Sequence, residues 1–155
     1  MPNTKWESLS SLQIGRYAEY YAKMEVASYG LEVYTSEVDD HGIDFIAKKP
    51  KSTNYYEIQV KSIRHDGYVF MTKKTWDIEQ ENLHLILVIF NEDKTPDIFL
   101  IPATAWQNLN DLLRFRAYDG VDYKSEPEYG LNLSQKNMHL LEPYKFEIYI
   151  NNLKK

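Results

Sequence analysis

The sequence predicts an α/β domain built on a mixed central β-sheet. Three observations carry this expectation: a helical repeat near the N-terminus, a succession of short apolar stretches cut by polar turns, and the uninterrupted apolar run LHLILVIF at residues 83–90. The run is rich in branched side chains and has no polar alternation, as expected of a strand buried on both faces. The order helix, several strands, helix gives the layered architecture. At 155 residues the chain is long enough to bury a core without covalent staples, and it reads as one domain, residues 1–155.

Taken in order, LSSLQIGRYAEYYAKMEVASY (9–29) repeats apolar or small groups at Leu12, Ile14, Tyr17, Ala18, Tyr21, Ala22 and Met24 or Val26. Recurrence at three and four residues predicts a helix with a broad buried face. Ser10 or Ser11 caps its start and Gly30 ends it. LEVYTSEV alternates as a strand, DDHG turns, IDFIA is a second strand, KKPKSTN a loop and YYEIQVKSI a third strand. HDG turns again into a short strand, YVFM, and KKTWDIEQEN reads as a short helix or helical turn. After LHLILVIF come a loop, NEDKTPD, a strand, DIFLIP, and a helix, PATAWQNLNDLLRF, with Pro102 near its start. Residues 117–136 are polar and rich in Tyr, Asp and Glu; they read as a long excursion and a candidate for substrate choice. The tail MHLLEPYKFEIYINNLKK fits helix and strand alike.

Composition excludes several chemistries. There is no cysteine, hence no disulfide, thiolate metal site or thiol nucleophile. The N-terminal residues lack the apolar core of a secretory signal, and no apolar run is long enough to span a bilayer. A soluble cytoplasmic protein is the expectation, with no membrane partner. His41, His65, His84 and His139 are scattered without metal-ligand spacing, the glycines form no phosphate loop, and the serines lack a nucleophile elbow. Tyr17, Tyr20 and Tyr21 suit base stacking, but core packing and subunit contact are the commoner uses of such residues, and a tryptophan such as Trp76 more often anchors a helix on the sheet than faces DNA.

Charge is unevenly distributed. The net charge of −5 argues against indiscriminate nucleic-acid binding. Residues 48–74 nevertheless carry seven basic groups against two acidic ones, Glu57 and Asp66. Within that window, strand alternation puts Tyr56, Ile58, Val60 and Ser62 on one face and Glu57, Gln59 and Lys61 on the other, roughly 7 Å apart at each step. If IDFIA pairs with this strand as a hairpin, Asp44 comes beside Gln59 and Lys61. Oxygen ligands on neighbouring strands together with a lysine suit Mg²⁺-assisted phosphodiester cleavage, because hard cations take carboxylate, amide and main-chain oxygens. A solvated strand face shows the same E-x-Q-x-K alternation, so the pattern alone leaves both readings open.

The order G-x-x-x-E on a first helix (Gly15, Glu19), a strand, G-I-D on a second strand (Gly42, Asp44) and Q-V-K on a third (Gln59, Lys61) resembles the PD-(D/E)xK nuclease superfamily, near its Holliday-junction-resolvase-like branch. The resemblance covers roughly residues 12–63 and implies the restriction endonuclease-like fold, with an αβββαβ core in which LHLILVIF and DIFLIP are later strands. It implies a DNA endonuclease using Mg²⁺ or Mn²⁺. Its helix glutamate falls on Glu19, its metal-binding aspartate on Asp44, its second acidic ligand on Gln59 and its lysine on Lys61. In that reading Asp44, Gln59, the Val60 carbonyl and Glu19 hold the metal, and Lys61 acts on the attacking water. Lys48, Lys49, Lys51, Ser62, Arg64, Lys73 and Lys74 are the phosphate contacts, and the working unit is a homodimer. Gln59 departs from the usual Glu or Asp and removes one negative charge, which Glu57 or Glu19 can restore. A degenerate nucleic-acid-binding or protein-interaction module of the same fold is the alternative.

Overall fold

The first helix forms where its start and stop signals stand. In the computed structural model, which describes residues 2–35, 42–118 and 125–155, helix α1 spans Ser11–Ser28. Ser10 Oγ accepts the Gln13 N–H (3.1 Å), and the Gln13 side-chain oxygen accepts the Ser10 N–H (2.8 Å). This capping box satisfies two of the donors that a helix start leaves open. Past the far end, Gly30 takes φ +92°, a left-handed conformation that favours glycine. Between them Ile14, Ala18, Ala22 and Val26, four residues apart, form the buried stripe.

The strands follow as β1 (Glu32–Tyr34), β2 (Phe45–Lys48), β3 (Tyr55–Arg64), β4 (Gly67–Thr72), β5 (Leu83–Phe90), β6 (Asp97–Pro102), β7 (Leu113–Arg116) and β8 (Glu128–Leu133). Five of them make a sheet in the order β1-β2-β3-β5-β6; β3 and β5 run parallel and the other neighbours antiparallel. The remaining three form an antiparallel sheet in the order β4-β8-β7. All eight residues of β5 are buried, as its unbroken apolar run predicts. Ile86, Val88 and Phe90 face a core shared with α1, Phe45, Ala47, Ile58 and the C-terminal helix α2 (Phe146–Leu153). Leu83, Leu85, Leu87 and Ile89 face a second core, roofed by Val69, Met71, Leu113, Leu131 and Leu133 of the three-stranded sheet.

Several elements depart from the local reading. Residues 73–82 make turns instead of a helix, and they bury Trp76, which meets Trp106 edge-on at 5.5 Å. The helix expected over PATAWQNLNDLLRF stops after a short 3-10 turn, Ala103–Gln107. There the side-chain oxygen of Asn110 accepts the N–H groups of Leu112 and Leu113 (2.8 and 2.7 Å) and turns the chain into β7. The polar excursion 117–136 contains β8, the middle strand of the second sheet. The tail resolves into a 3-10 segment, Gln135–Tyr144, and α2. Most of the DDHG turn and the end of LEVYTSEV lie outside the described residues. Among those described, no helix is long and apolar enough to cross a membrane.

His84 is the polar residue of β5, and it sits between the rings of Tyr56 (5.6 Å) and Tyr149 (6.2 Å). Burial disfavours the charged imidazolium and pushes its pKa from 6.5 down to about 4. The unfolded chain takes up this proton near pH 6.5 and the folded one does not, so stability is full above that range and falls towards pH 4. His84 should contribute roughly 2 kcal/mol of lost stability between pH 7 and pH 5. Urea unfolding at both values should show that His84→Leu loses less on acidification than the wild type, and equal losses would refute the assignment.

Candidate active site

Strand β3 presents two different faces because its neighbour β5 is buried on both sides. Ile58 and Val60 pack on the α1 side, whereas Glu57, Gln59 and Lys61 stand opposite Leu83, Leu85 and Leu87 on the other. Asp44 lies one residue before β2. Its N–H donates to the Ile58 carbonyl (2.8 Å), and its Oδ2 accepts the Val60 N–H (2.6 Å). A side-chain carboxylate thus takes the place of a ladder carbonyl where β2 begins. The N–H and C=O of one strand residue point to the same edge, so the Val60 carbonyl is also directed to the Asp44 side.

Gln59 is buried, 8% exposed, and its Oε1 has no hydrogen-bond partner among the described residues. Such an atom in a native fold calls for an explanation, since an unsatisfied buried acceptor costs about 1–3 kcal/mol. Gly42 passes close by at φ +74°; a Cβ there would lie 3.4 Å from Thr75 Cβ and 3.8 Å from Gln59 Oε1. The glycine therefore leaves a small cradle in front of the amide oxygen. A carboxylate, an orphan amide oxygen and a main-chain carbonyl on one strand edge form a donor set for a hard cation, and the residues fit Mg²⁺ or Mn²⁺ in kind. Among the described residues no group of three or more His, Cys, Asp or Glu gathers for a metal, so amide and carbonyl oxygens have to supply the remainder.

The other predicted site residues are placed as follows. Lys61 is half-buried, and its Nζ lies 5.9 Å from the centre of the Phe70 ring. Glu57 accepts from Gln80 Nε2 (2.7 Å), which holds that carboxylate in place one step along from Gln59. Glu19 sits on α1, which packs on the Ile58–Val60 face, and pairs with Arg16 at 3.7 Å. His41, considered as a neighbour of the cleft, lies outside the described residues.

The basic window does not gather into one patch. Lys48 donates to the Ser52 carbonyl (2.9 Å) and pairs with Glu32 (3.8 Å), and Lys49 donates to the main-chain oxygen of Lys155 (2.9 Å). Lys51, exposed at φ +65°, shares their turn before β3. Ser62 and Arg64 lie at the other end of β3, about 30 Å away along a ten-residue strand. Arg64 holds the N-terminal segment by donating to the carbonyls of Leu9 (2.6 Å) and Glu7 (3.5 Å). Lys73 lies over the Phe115 ring at 5.8 Å, and Lys74 pairs with Glu126 at 2.7 Å. Sequence reasoning named Gly42 within G-I-D without giving it a role and passed over Thr75 and Phe70; the aromatic on the outward register of YVFM was the available signal.

A mixed sheet flanked by helices, with β3 and β5 parallel at its centre, is the architecture of the restriction endonuclease-like fold that the sequence leads one to expect. The chain superposes on the structure of Hjc from Archaeoglobus fulgidus, a Holliday junction resolvase from an archaeal hyperthermophile. The TM-score is 0.54 with 11% identity, over 88% of this chain and 95% of that one, a likeness of fold. No protein-family model and no curated protein matches the chain.

Asp44 has a structural duty that can be separated from any catalytic one. Asp44→Ala removes the acceptor of the Val60 N–H and should cost about 1–2 kcal/mol in urea unfolding. Asp44→Asn keeps an oxygen in that place and should lose less. An alanine variant as stable as the wild type would show that the 2.6 Å bond carries no weight.

Proposed function

We propose that this chain is a Mg²⁺- or Mn²⁺-dependent DNA endonuclease that hydrolyses phosphodiester bonds at the Asp44–Gln59–Lys61 site. The observation that carries the reading is the buried Oε1 of Gln59, without a partner among the described residues, on the strand whose edge fixes the Asp44 carboxylate. The fold it shares with a Holliday junction resolvase supports the same reading. Asp44, Gln59 and the Val60 carbonyl would hold the ion, and Glu19, paired with Arg16 on the helix that covers the other face of β3, would approach them only from the α1 side of the strand edge. When bound, the metal polarises a phosphate and lowers the pKa of water. The Lys61 ammonium, two residues along the same face from Gln59, orients the attacking water and balances charge that develops on the phosphate oxygens. Lys49 and Lys51 before one end of β3 and Ser62, seven residues along the strand from Tyr55, contact phosphates along a track of about seven base pairs, at about 3.4 Å per step. Lys48, Arg64, Lys73 and Lys74 join them only by exchanging protein partners. A homodimer acting in the cytoplasm completes the reading.

The test is cleavage of plasmid and branched DNA with Mg²⁺ or Mn²⁺. Lys61→Ala and Asp44→Asn should each lower the rate about 100-fold or more, while Gln59→Glu retains or raises it by restoring a charged ligand. Activity unaffected by both substitutions would sink the assignment. The neutral Gln59 and the net charge of −5 favour a second reading, a degenerate nucleic-acid-binding or protein-interaction module without catalysis. Binding of DNA without cutting in either metal would select it.

A further inference from the structure

The three-stranded sheet packs one face on β5 and turns the other outward. Val69, Met71, Leu113, Leu131 and Leu133 point inward; alternation puts Tyr68 and Phe70 of β4, Arg114 and Arg116 of β7, and Gly130 of β8 outward. An outward strand face is normally polar, yet β4 carries two aromatic rings there. They stack with centres 6.4 Å apart and planes 18° from parallel, and Phe70 is 46% exposed. Tyr68 lies across Gly130, where any Cβ would collide with its ring and Oη. The Arg116 guanidinium stands 3.8 Å from the centre of the Tyr68 ring. Together with Lys61 beside Phe70, a row of cation, ring, ring and cation runs across the face to the candidate catalytic lysine.

Next to this row is a cavity of about 330 Å³ lined by Arg114, Arg116, Lys136 and Asn132, with Asp111 as its acidic member. Arg114 and Lys136 are exposed and make no ion pair among the described residues; Arg114 donates to the Asn110 carbonyl (3.2 Å). Glu128, on the same outward register, is buried near Tyr68 and Arg116 and offsets part of the Arg116 charge, which leaves Arg114 and Lys136 against Asp111 at the cavity. The cavity therefore keeps a positive surplus formed by guanidinium and ammonium groups, which suits phosphate oxygens.

We propose that the outer face of β4-β8-β7 binds unpaired nucleotides of the DNA substrate. A base stacks on Phe70, backed by Tyr68, and the strand's phosphates enter the Arg114–Arg116–Lys136 cavity. A duplex hides its base faces in its own stack, so an exposed ring with a basic groove beside it finds partners only in a single-stranded stretch. The inference rests on the reading of the chain as acting on DNA and sharpens it: the substrate carries a frayed end, flap or branch point beside the bond to be cut.

The test is anisotropy of one labelled oligonucleotide, as single strand and as duplex, in EDTA so that nothing is cleaved. Phe70→Ala should weaken single-strand binding about tenfold and duplex binding less than about twofold, and Phe70→Tyr should retain the wild-type preference. The double variant Arg114→Ala, Lys136→Ala should reduce the single-strand salt slope by about 1.4, at about 0.7 per lost phosphate contact. Equal weakening of both forms, or none, overturns the proposal, as does Phe70→Ala turning a dimer into a monomer in light scattering without changing single-strand affinity. A wild type that cleaves DNA while all variants keep their affinity refutes this face alone. A wild type that binds no DNA refutes the nuclease reading as well.

Discussion

A strand with no solvent face needs a cover on each side, and this requirement organises the molecule around β5. Its eight buried residues divide by alternation into two rows. Ile86, Val88 and Phe90 are covered by α1 and α2, and Leu83, Leu85, Leu87 and Ile89 by the second sheet with Trp76 and Trp106. Each fully buried apolar side chain contributes about 1.5–3 kcal/mol, so leaving either row open would cost an amount comparable to a domain's usual margin of stability. The two layers are the answer to that constraint, and they place β3 beside β5 with one face in each core.

The candidate site is the place on β3 where this scheme is broken. Opposite Leu85, where packing would accept an apolar group, stands Gln59, with an amide oxygen that no group among the described residues satisfies. In front of it Gly42 takes a left-handed conformation that leaves room where other residues would put a Cβ. Asp44 ends the β2 ladder with a carboxylate in place of a carbonyl. The orphan acceptor costs stability where the rest of the sheet conforms to rule, and such local exceptions concentrate where a protein does something besides fold.

Electrostatics follow the fold more than the chain. The basic residues 48–74 are close in sequence, but a ten-residue strand separates their ends, and several of them serve the protein itself. Arg64 ties down the N-terminal segment, Lys74 meets Glu126 from beyond the window, and Lys48 meets Glu32 of the edge strand. Positive charge instead gathers on the outer face of the second sheet, where Arg114, Arg116 and Lys136 come from β7 and the 3-10 segment after β8. Those residues lie more than 40 positions beyond the candidate lysine in the chain, yet the aromatic pair Tyr68–Phe70 joins the two regions.

What the sequence determined by itself is whatever depends on near neighbours in the chain. The capped start and four-residue stripe of α1, the double burial of β5 and the division of β3 into an apolar and a polar row are all local periodicities, and the structure keeps each of them. Tertiary structure alone decided that YVFM pairs with residues 128–133, about 60 positions away, so a segment that reads as polar excursion becomes a central strand. It decided too that NLNDLLRF leaves its helical pattern for β7 at Asn110, and that Glu19 faces Arg16 across one turn of α1. Strand pairing and ion pairing depend on which distant groups arrive, and periodicity within a segment carries no record of its partner. Asp44 shows the boundary between the two: its place in G-I-D was legible, but its bond to the Val60 N–H exists only once β2 has met β3.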